Sequence, residues 1–322
     1  MNSVAHYNKL FIVGCPRSGT TWLQRMLVNH DDILPVKSES HLYRLVYEPF
    51  TYVSSLNSKQ RLDRWQWVIK NFGLKALLFG ASSQDIWNSI LRSYRIYQRN
   101  DDIGLHHLVS YQTLKTLIRQ VKPGPENDRI KAQRLIRLIL DAFFEQSGGK
   151  TSQILLEKTP LHIKHVDVIL NSFPEAKVVN IIRDGRDVCA SLKSRSKTQK
   201  WAQYNIKTII TQWEKCIRLG EKFAADPALK DRIYSVKYED IRQNTLAELK
   251  NIYAFVGISI ESEALQRIVD SLDIKNVKDK GEGQHVNKGQ IDNWKEALPE
   301  EDIQLWHSSA GKALVRLGYS LA

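Results

Sequence analysis

The chain has 322 residues, 42% of them apolar, enough for the core of one large α/β domain or two smaller ones. Forty-seven Lys and Arg against 35 Asp and Glu leave a net charge of +12, which suits an anionic ligand or partner and suits plain solubility equally well. Three cysteines without metal-ligand spacing (Cys15, Cys189, Cys216) argue against a disulfide scaffold or a zinc module. No apolar run reaches the ~20 residues of a bilayer span, and the N-terminus lacks the pattern of a secretion signal. The expectation is a soluble protein of a reducing, cytoplasmic compartment, the alternative being the catalytic part of a membrane-anchored protein.

Leu10 to Val13 is a short apolar run closed by Gly14, the pattern of a buried parallel strand. Trp22, Leu23, Met26 and Leu27 then recur at helical spacing, so a helix is expected from about Thr20 to Asn29. Ile33 to Val36 reads as a second strand that ends in the polar segment Lys37-Ser-Glu-Ser-His41. From about 50 to 150 the periodicity is helical, over Trp65–Phe72, Ile86–Tyr97, Leu105–Val121 and Ile130–Phe144. Lys122-Pro-Gly-Pro-Glu-Asn-Asp128 breaks the last two apart. Residues 45–150 are therefore expected to be a helical insertion or cap within a single domain spanning 1–322.

Strand-like runs return at Ile154–Leu156, Val178–Ile182 and Ile233–Val236. Helices are expected after each, at His162–Leu170, Asp187–Ser194 and Thr245–Phe255. This alternation predicts an α/β fold with a P-loop-like, doubly wound, mainly parallel sheet. Lys278–Asn293, rich in Gly and Lys, reads as a surface loop. A last helix should start after Pro299, where Glu300, Glu301 and Asp302 favour its N-terminal dipole.

Chemistry concentrates at the first strand end. Gly14-x-x-x-x-Gly19 has the glycine spacing of a phosphate-cradling loop at a helix N-terminus, but Thr20 and Thr21 stand where a Walker loop needs Lys and then Ser or Thr. The cation, Arg17, lies inside the loop instead. After the strand ending at Ile182 comes Arg183-Asp-Gly-Arg-Asp-Val-Cys-Ala-Ser191, with Arg183 in place of a Walker B acid. Arg183 and Ser191 suit a second phosphate; alternatively Arg183 pairs with Asp184 or Asp187 at the surface.

Pro16-Arg-Ser-Gly-Thr-Thr-Trp22 and Arg183-Asp-Gly-Arg-Asp…Ser191 resemble the two cofactor motifs of the PAPS-dependent sulfotransferases. Glu157-Lys-Thr-Pro160, Tyr238-Glu-Asp240 and Asn287-Lys-Gly289…Trp294-Lys295 follow in the order that family uses, leaving 45–150 uncovered. The resemblance implies 3′-phosphoadenosine-5′-phosphosulfate (PAPS) as co-substrate, without a metal. Pro16, Arg17, Ser18, Gly19, Thr20 and Thr21 would hold its 5′-phosphosulfate, and Arg183, Ser191, Lys288 and Gly289 its 3′-phosphate. Trp22 would stack on adenine with Tyr238 nearby, unless Trp22 is a core aromatic. Arg17 departs from the Lys of cytosolic members and resembles protein-tyrosine and bacterial ones.

Glu39-Ser-His41 resembles the Glu-x-His segment of heparan-sulfate-type sulfotransferases, which implies Glu39 as catalytic base and His41 as its orienting partner; a solvated loop is the plain alternative. Arg17 and Lys158 would stabilise charge on the leaving phosphate. Lys37 and Glu48 are weaker candidates, and His162 is the reserve base. The implied reaction is sulfuryl transfer to an acceptor hydroxyl, with a carbohydrate or anionic glycan leading and tyrosine, phenol or lipid open. Arg92, Arg95, Arg99, Arg129, Arg134 and Arg137 would meet an anionic chain, and Trp65, Trp67, Trp87 and Tyr94 a sugar or phenol, unless they are solvated faces and core. A P-loop kinase and a non-catalytic polyanion binder are the readings from other classes. No nucleic-acid module is recognisable, and oligomeric state is open.

Overall fold

The computed structural model describes residues 7–52, 56–100, 103–199, 202, 204–272 and 290–321. Five strands form one sheet in the order β2-β3-β1-β4-β5: β1 Asn8–Gly14, β2 Ile33–Pro35, β3 Ile154–Lys158, β4 Lys177–Ile182 and β5 Ile233–Lys237. β1, β4 and β5 run parallel, with Leu10 opposite Lys177 and Val178 opposite Ile233. The order departs in both directions from β1, so its C-terminal end is the switch point at which an open α/β sheet presents a ligand site.

The chain divides into two compact units. The first comprises Met1–Lys9, Leu34–His162 and Asn171–Pro174. Most of it is helical: α2 Glu48–Tyr52, α3 Ser58–Asp63, α4 Trp65–Phe72, α5 Leu74–Phe79, α6 Ser83–Asn100, α7 Tyr111–Val121 and α8 Asp128–Gln146, all after α1 (Thr20–Leu27) in the chain. α7 and α8 are started by side-chain caps, Ser110 on the Thr113 N–H and Asn127 on the Ile130 N–H. Their apolar stripes meet as a buried core of Leu114, Ile118, Leu135, Ile136, Ile139 and Leu140.

The second unit comprises Leu10–Ile33, Ile163–Leu170 and Glu175–Ala322. After α9 (Val166–Ser172) the chain adds α10 Gly185–Ser196, α11 Ile206–Ala225, α12 Tyr238–Gln243, α13 Thr245–Val256, α14 Ser262–Leu272, α15 Trp294–Ala297 and α16 Glu300–Arg316. Trp213 of α11 and Trp306 of α16 are fully buried and meet edge to face at 5.4 Å. The Trp213 indole N–H donates to the Arg183 carbonyl at 2.9 Å, fixing the backbone where β4 ends.

The predicted strands are all present; β1, β3, β4 and β5 are longer by one to three residues, whereas β2 ends at Pro35, one residue short of the expected Val36. The helix expected over Leu105–Val121 is broken: a 3₁₀ turn at Leu105–His107 precedes α7, and Ser110 between them serves as cap. His162–Leu170 likewise divides into a 3₁₀ segment, Pro160–His165, and α9, because Pro160 opens the turn. Periodicity reading passed over α11, the longest helix of the described residues. Its buried stripe, Ile209, Ile210, Trp213, Cys216, Ile217, Gly220 and Phe223, includes Cys and Gly that dilute the apolar signal. Cys15, Cys189 and Cys216 are free and buried. Among the described residues no helix is long and apolar enough to cross a membrane.

Candidate active site

In the second unit, the loop after β1 is shaped by two glycines. A Cβ on Gly14 would lie 2.4 Å from the Ile181 carbonyl oxygen, so only glycine lets β1 end this close to β4. Gly19 has φ +92°, and a Cβ there would lie 2.4 Å from the Tyr238 ring. Between them Arg17 takes φ +76°, a strained conformation for a residue with a side chain, of the kind retained where function requires it. α1 then begins at Thr20 with no side chain capping its N-terminus, leaving that end to a ligand.

Arg17 and the β4 motif are brought together. Arg17 Nε donates to Ser191 Oγ at 3.1 Å, and Arg183 Nη1 donates to the Arg17 carbonyl at 3.1 Å. Arg183 lies 4.3 Å over the Tyr238 ring, which is itself buried beneath Gly19. Its second amino group donates to the Gln290 carbonyl at 3.2 Å and sits 3.7 Å from Asp187. The Asp187 pairing anticipated from sequence thus exists, but in the interior: the Asp187 side chain is buried. Asp184 is taken by Arg186 at 2.7 Å instead.

Trp22 is half-buried, 5.9 Å edge-on from Tyr238, with the Arg242 guanidinium 5.0 Å over its ring. Thr20 is buried, Pro16 is half-buried and Thr21 exposed. Ser18 Oγ, Trp22 Nε1 and Arg183 Nε are buried without a hydrogen-bond partner. Such orphans are rare unless a ligand completes them, so donors at the loop fit an anionic group. Lys288 and Gly289, expected on the 3′-phosphate, lie outside the described residues.

In the first unit, the polar segment past β2 meets the end of β3. Lys158 Nζ donates to Glu39 Oε1 at 2.8 Å, and His41 Nε2 lies 3.4 Å from Glu39 Oε2. His41 takes φ +49°, which turns its ring back on Glu39, and its Nδ1 is buried without a partner. Burial raises the Glu39 pKa, but its bonds to His41 and Lys158 outweigh that and hold it at about 2. The Glu39 carbonyl accepts from the Gly104 N–H at 2.8 Å, which pins its backbone.

Directly behind lies a closed network on Glu157, buried to 1% exposure. One carboxylate oxygen accepts from Ser40 Oγ (2.7 Å) and Thr159 Oγ1 (2.6 Å), the other from His162 Nδ1 (2.9 Å). His162 Nε2 in turn accepts the Tyr43 N–H at 3.4 Å, which leaves Nδ1 as the nitrogen that donates to Glu157. Burial would raise the Glu157 carboxyl, yet its donors, led by His162, lower it. His162 is 1% exposed and both its nitrogens are engaged, one with Glu157 and the other with the Tyr43 N–H. Lys37 is exposed, and Glu48 opens α2, where Thr51 Oγ1 donates to its carbonyl.

The residues expected to meet a glycan are mostly engaged elsewhere. Arg92 donates to the carbonyls of Lys70 and Asn71, Arg95 stacks 4.4 Å over Tyr111, Arg134 sits 3.6 Å from Glu126, and Arg137 donates to the Ser172 carbonyl. Arg99 and Arg129 are exposed. Trp87 and Tyr94 are core: the Trp87 N–H donates to Asp128 and the Tyr94 hydroxyl to the Val109 carbonyl. Sequence reasoning passed over Arg242, Ser40 and the role of Asp187. Arg242, four residues after Tyr238 on α12, carried a readable signal; Ser40 and Asp187 acquire partners only through distant segments.

Comparison with known proteins bears on the family and the fold. The curated protein-tyrosine sulfotransferase A of Caenorhabditis elegans is 27% identical over 177 residues, 53% of this chain and 46% of that protein. The chain thus spans about half the length of the curated relative it matches. Among solved structures, sulfotransferase STF9 from Mycobacterium avium superposes with a TM-score of 0.51 at 14% identity, covering 98% of this chain and 78% of that one, a likeness of fold. Mouse sulfotransferase SULT7A1, solved in complex with PAP, gives 0.48 at 12% identity, over 97% and 88%. The profile described as the sulfotransferase family matches residues 9–262, most of the sequence and all of both loop motifs, and the chain belongs to that family.

Proposed function

We propose that this chain transfers a sulfuryl group from PAPS to an acceptor hydroxyl, with Glu39 as general base. The observation that carries the reading is the loop after β1: a strained Arg17 held by Ser191, crossed by Arg183, with buried donors on Ser18 and Arg183 that have no partner. Pro16 to Thr21 hold the phosphosulfate, Arg183 and Ser191 the 3′-phosphate together with Lys288 and Gly289, and Trp22 and Tyr238 the adenine end. PAPS supplies the sulfuryl group and leaves as adenosine 3′,5′-bisphosphate, with charge building on the departing phosphate oxygen.

Arg17, Lys158 and the loop N–H groups stabilise that charge, and preorganised donors act most strongly where charge develops. Glu39 takes the proton of the attacking hydroxyl. Held at about 2, resting Glu39 is a weak base. At rest Lys158 is paired with Glu39, and His41 keeps the carboxylate oriented.

A carbohydrate hydroxyl is the leading acceptor, on the likeness of Glu39-Ser-His41 to the polysaccharide enzymes. A tyrosine acceptor is the second reading, favoured by the 27% identity to a protein-tyrosine sulfotransferase. Transfer of label from PAPS to glycans, tyrosine peptides, phenols and lipids assigns the acceptor. Binding of adenosine 3′,5′-bisphosphate in preference to magnesium-ATP, persisting at high salt, separates the reading from a kinase and from a generic polyanion binder. Absence of that binding overturns it.

A further inference from the structure

The described residues include nine large apolar side chains that are well exposed, and five of them fall within one 18-residue stretch: Leu62 (59%), Trp65 (53%), Leu74 (63%), Leu78 (60%) and Phe79 (79%). These belong to α3, α4 and α5, three short helices folded tightly on one another. The inner faces of that fold are satisfied by Val68, Phe72 and Ala76, all buried. Outward residues are therefore not the fraying edge of an unmade core. Arg61 fixes the arrangement by donating to the carbonyls of Leu56, Leu77 and Leu78, which ties α3 to the end of α5. Leu74 and Leu78 share one face of α5, one turn apart.

The same segment is strongly basic. Residues 58–80 contain Lys59, Arg61, Arg64, Lys70 and Lys75 against the single acid Asp63. Lys59, Arg64, Lys70 and Lys75 are exposed. Exposed Leu, Trp and Phe ringed by cations is the composition of a surface that lies in the boundary layer of an anionic bilayer, with aromatics at headgroup depth and cations on the phosphates. Patches of this kind on a water-facing surface are uncommon without an occupant. A second copy of this chain is a poor occupant, since it would set one cationic cluster against another.

We propose that α3–α5 form a peripheral membrane-docking surface for anionic phospholipid, independent of the assignment of sulfuryl transfer. The apolar side chains enter the interface and the lysines and arginines hold it by charge. No spanning helix is required, in keeping with the absence of one among the described residues.

Co-sedimentation of the full chain with vesicles tests this. Phosphatidylcholine vesicles carrying about one-third phosphatidylserine should bind it, more weakly as salt rises, and pure phosphatidylcholine vesicles should bind it far less. Leu78→Ser with Phe79→Ser should abolish sedimentation while leaving the melting temperature and nucleotide binding unchanged, because both side chains face outward. Lys70→Gln with Lys75→Gln should weaken binding by about five-fold for each cation removed. Failure to bind the phosphatidylserine vesicles, or equal binding by the Leu78→Ser/Phe79→Ser variant, overturns the proposal. So does a concentration-dependent dimer in sedimentation velocity that the same variant dissolves, which would make a second copy the occupant.

Discussion

The end of β3 and the loop after β1 both crowd charged and hydroxyl side chains into small volumes, yet they treat their polar atoms in opposite ways. Around Glu157 every acceptor is filled from within the chain: Ser40, Thr159 and His162 converge on one carboxylate, and Tyr43 completes the imidazole. Around Arg17 the backbone is strained, and buried polar atoms of Ser18, Trp22 and Arg183 are left open. A closed network rigidifies what rests on it, here the turn that presents Glu39 and His41. An open one is stable only at a cost that a bound anion repays. One region is closed on itself; the other leaves buried polar atoms open.

Two carboxylates sharpen the contrast. Glu39 is held at about 2 by His41 and Lys158 despite its burial, whereas burial pushes Asp187 up to about 6 despite Arg183 and the backbone N–H groups of Trp294 and Asp292. The signs of their linkage to stability are opposite. The contribution of Glu39 is fully present above the unfolded carboxylate range and lost as pH falls toward 2. The folded chain prefers protonated Asp187, so that contribution is present below the unfolded value and lost as pH rises through about 6.

Glu39→Gln is expected to have the largest effect, a loss of about a thousandfold in turnover, within the range for a general base. Affinity for adenosine 3′,5′-bisphosphate, measured by calorimetry, should stay at the wild-type level. Loss of both would mean that the two regions are not functionally separable.

Arg17→Ala and Lys158→Ala come next, each with about a hundredfold loss of turnover, corresponding to removal of one preorganised donor of ~3 kcal/mol. Turnover should fall far more than nucleotide affinity, and near-wild-type rates in both variants would remove them from the chemistry. His162→Ala tests the closed network. Leaving the buried Glu157 carboxylate without its Nδ1–H donor should cost about 2 kcal/mol of stability in urea unfolding. If the variant is as stable as wild type but inactive, His162 and not Glu39 is the base.

The smallest effect is expected at Asp187. Its Oδ1 accepts the Trp294 N–H at 3.0 Å and its Oδ2 the Asp292 N–H at 3.1 Å, while Arg183 shares the same carboxylate. Protonation near pH 6 should loosen Arg183 and the segment at 290–294, so nucleotide affinity should fall by up to about tenfold per pH unit below that point. Asp187→Asn should flatten this dependence. A titration that keeps the same inflection in the variant assigns it to another group.

Much of this was legible in the residues. Gly14 and Gly19 announced a loop that needs close backbone approach, and Thr20 in the Walker lysine's place, with Arg17 inside the loop, turned the expected anion away from magnesium-ATP. Helical periodicity located α4 to the residue and α8 to within two at each end, since long amphipathic stripes survive in local sequence. What was not legible were partners that lie far apart in the chain: Ser40 with Glu157, Asp187 with Trp294, Arg17 with Ser191. The arginines of the insertion show the limit most plainly. Their charge suggested a polyanion, and the structure adds partners that the sequence did not show: backbone carbonyls for Arg92 and Arg137 and the Glu126 carboxylate for Arg134.

The sequence by itself determined the α/β alternation, the anion loop and the family, because strand runs, glycine spacing and motif order are local or ordinal properties. Only the tertiary structure separated the surroundings of Glu39 and His162, which is what favours the proposal of Glu39 as base. Both lie next to a strand end and both carry suitable chemistry. Tyr43 and Glu157 engage both nitrogens of the buried one, whereas the other keeps a partly exposed carboxylate paired with Lys158.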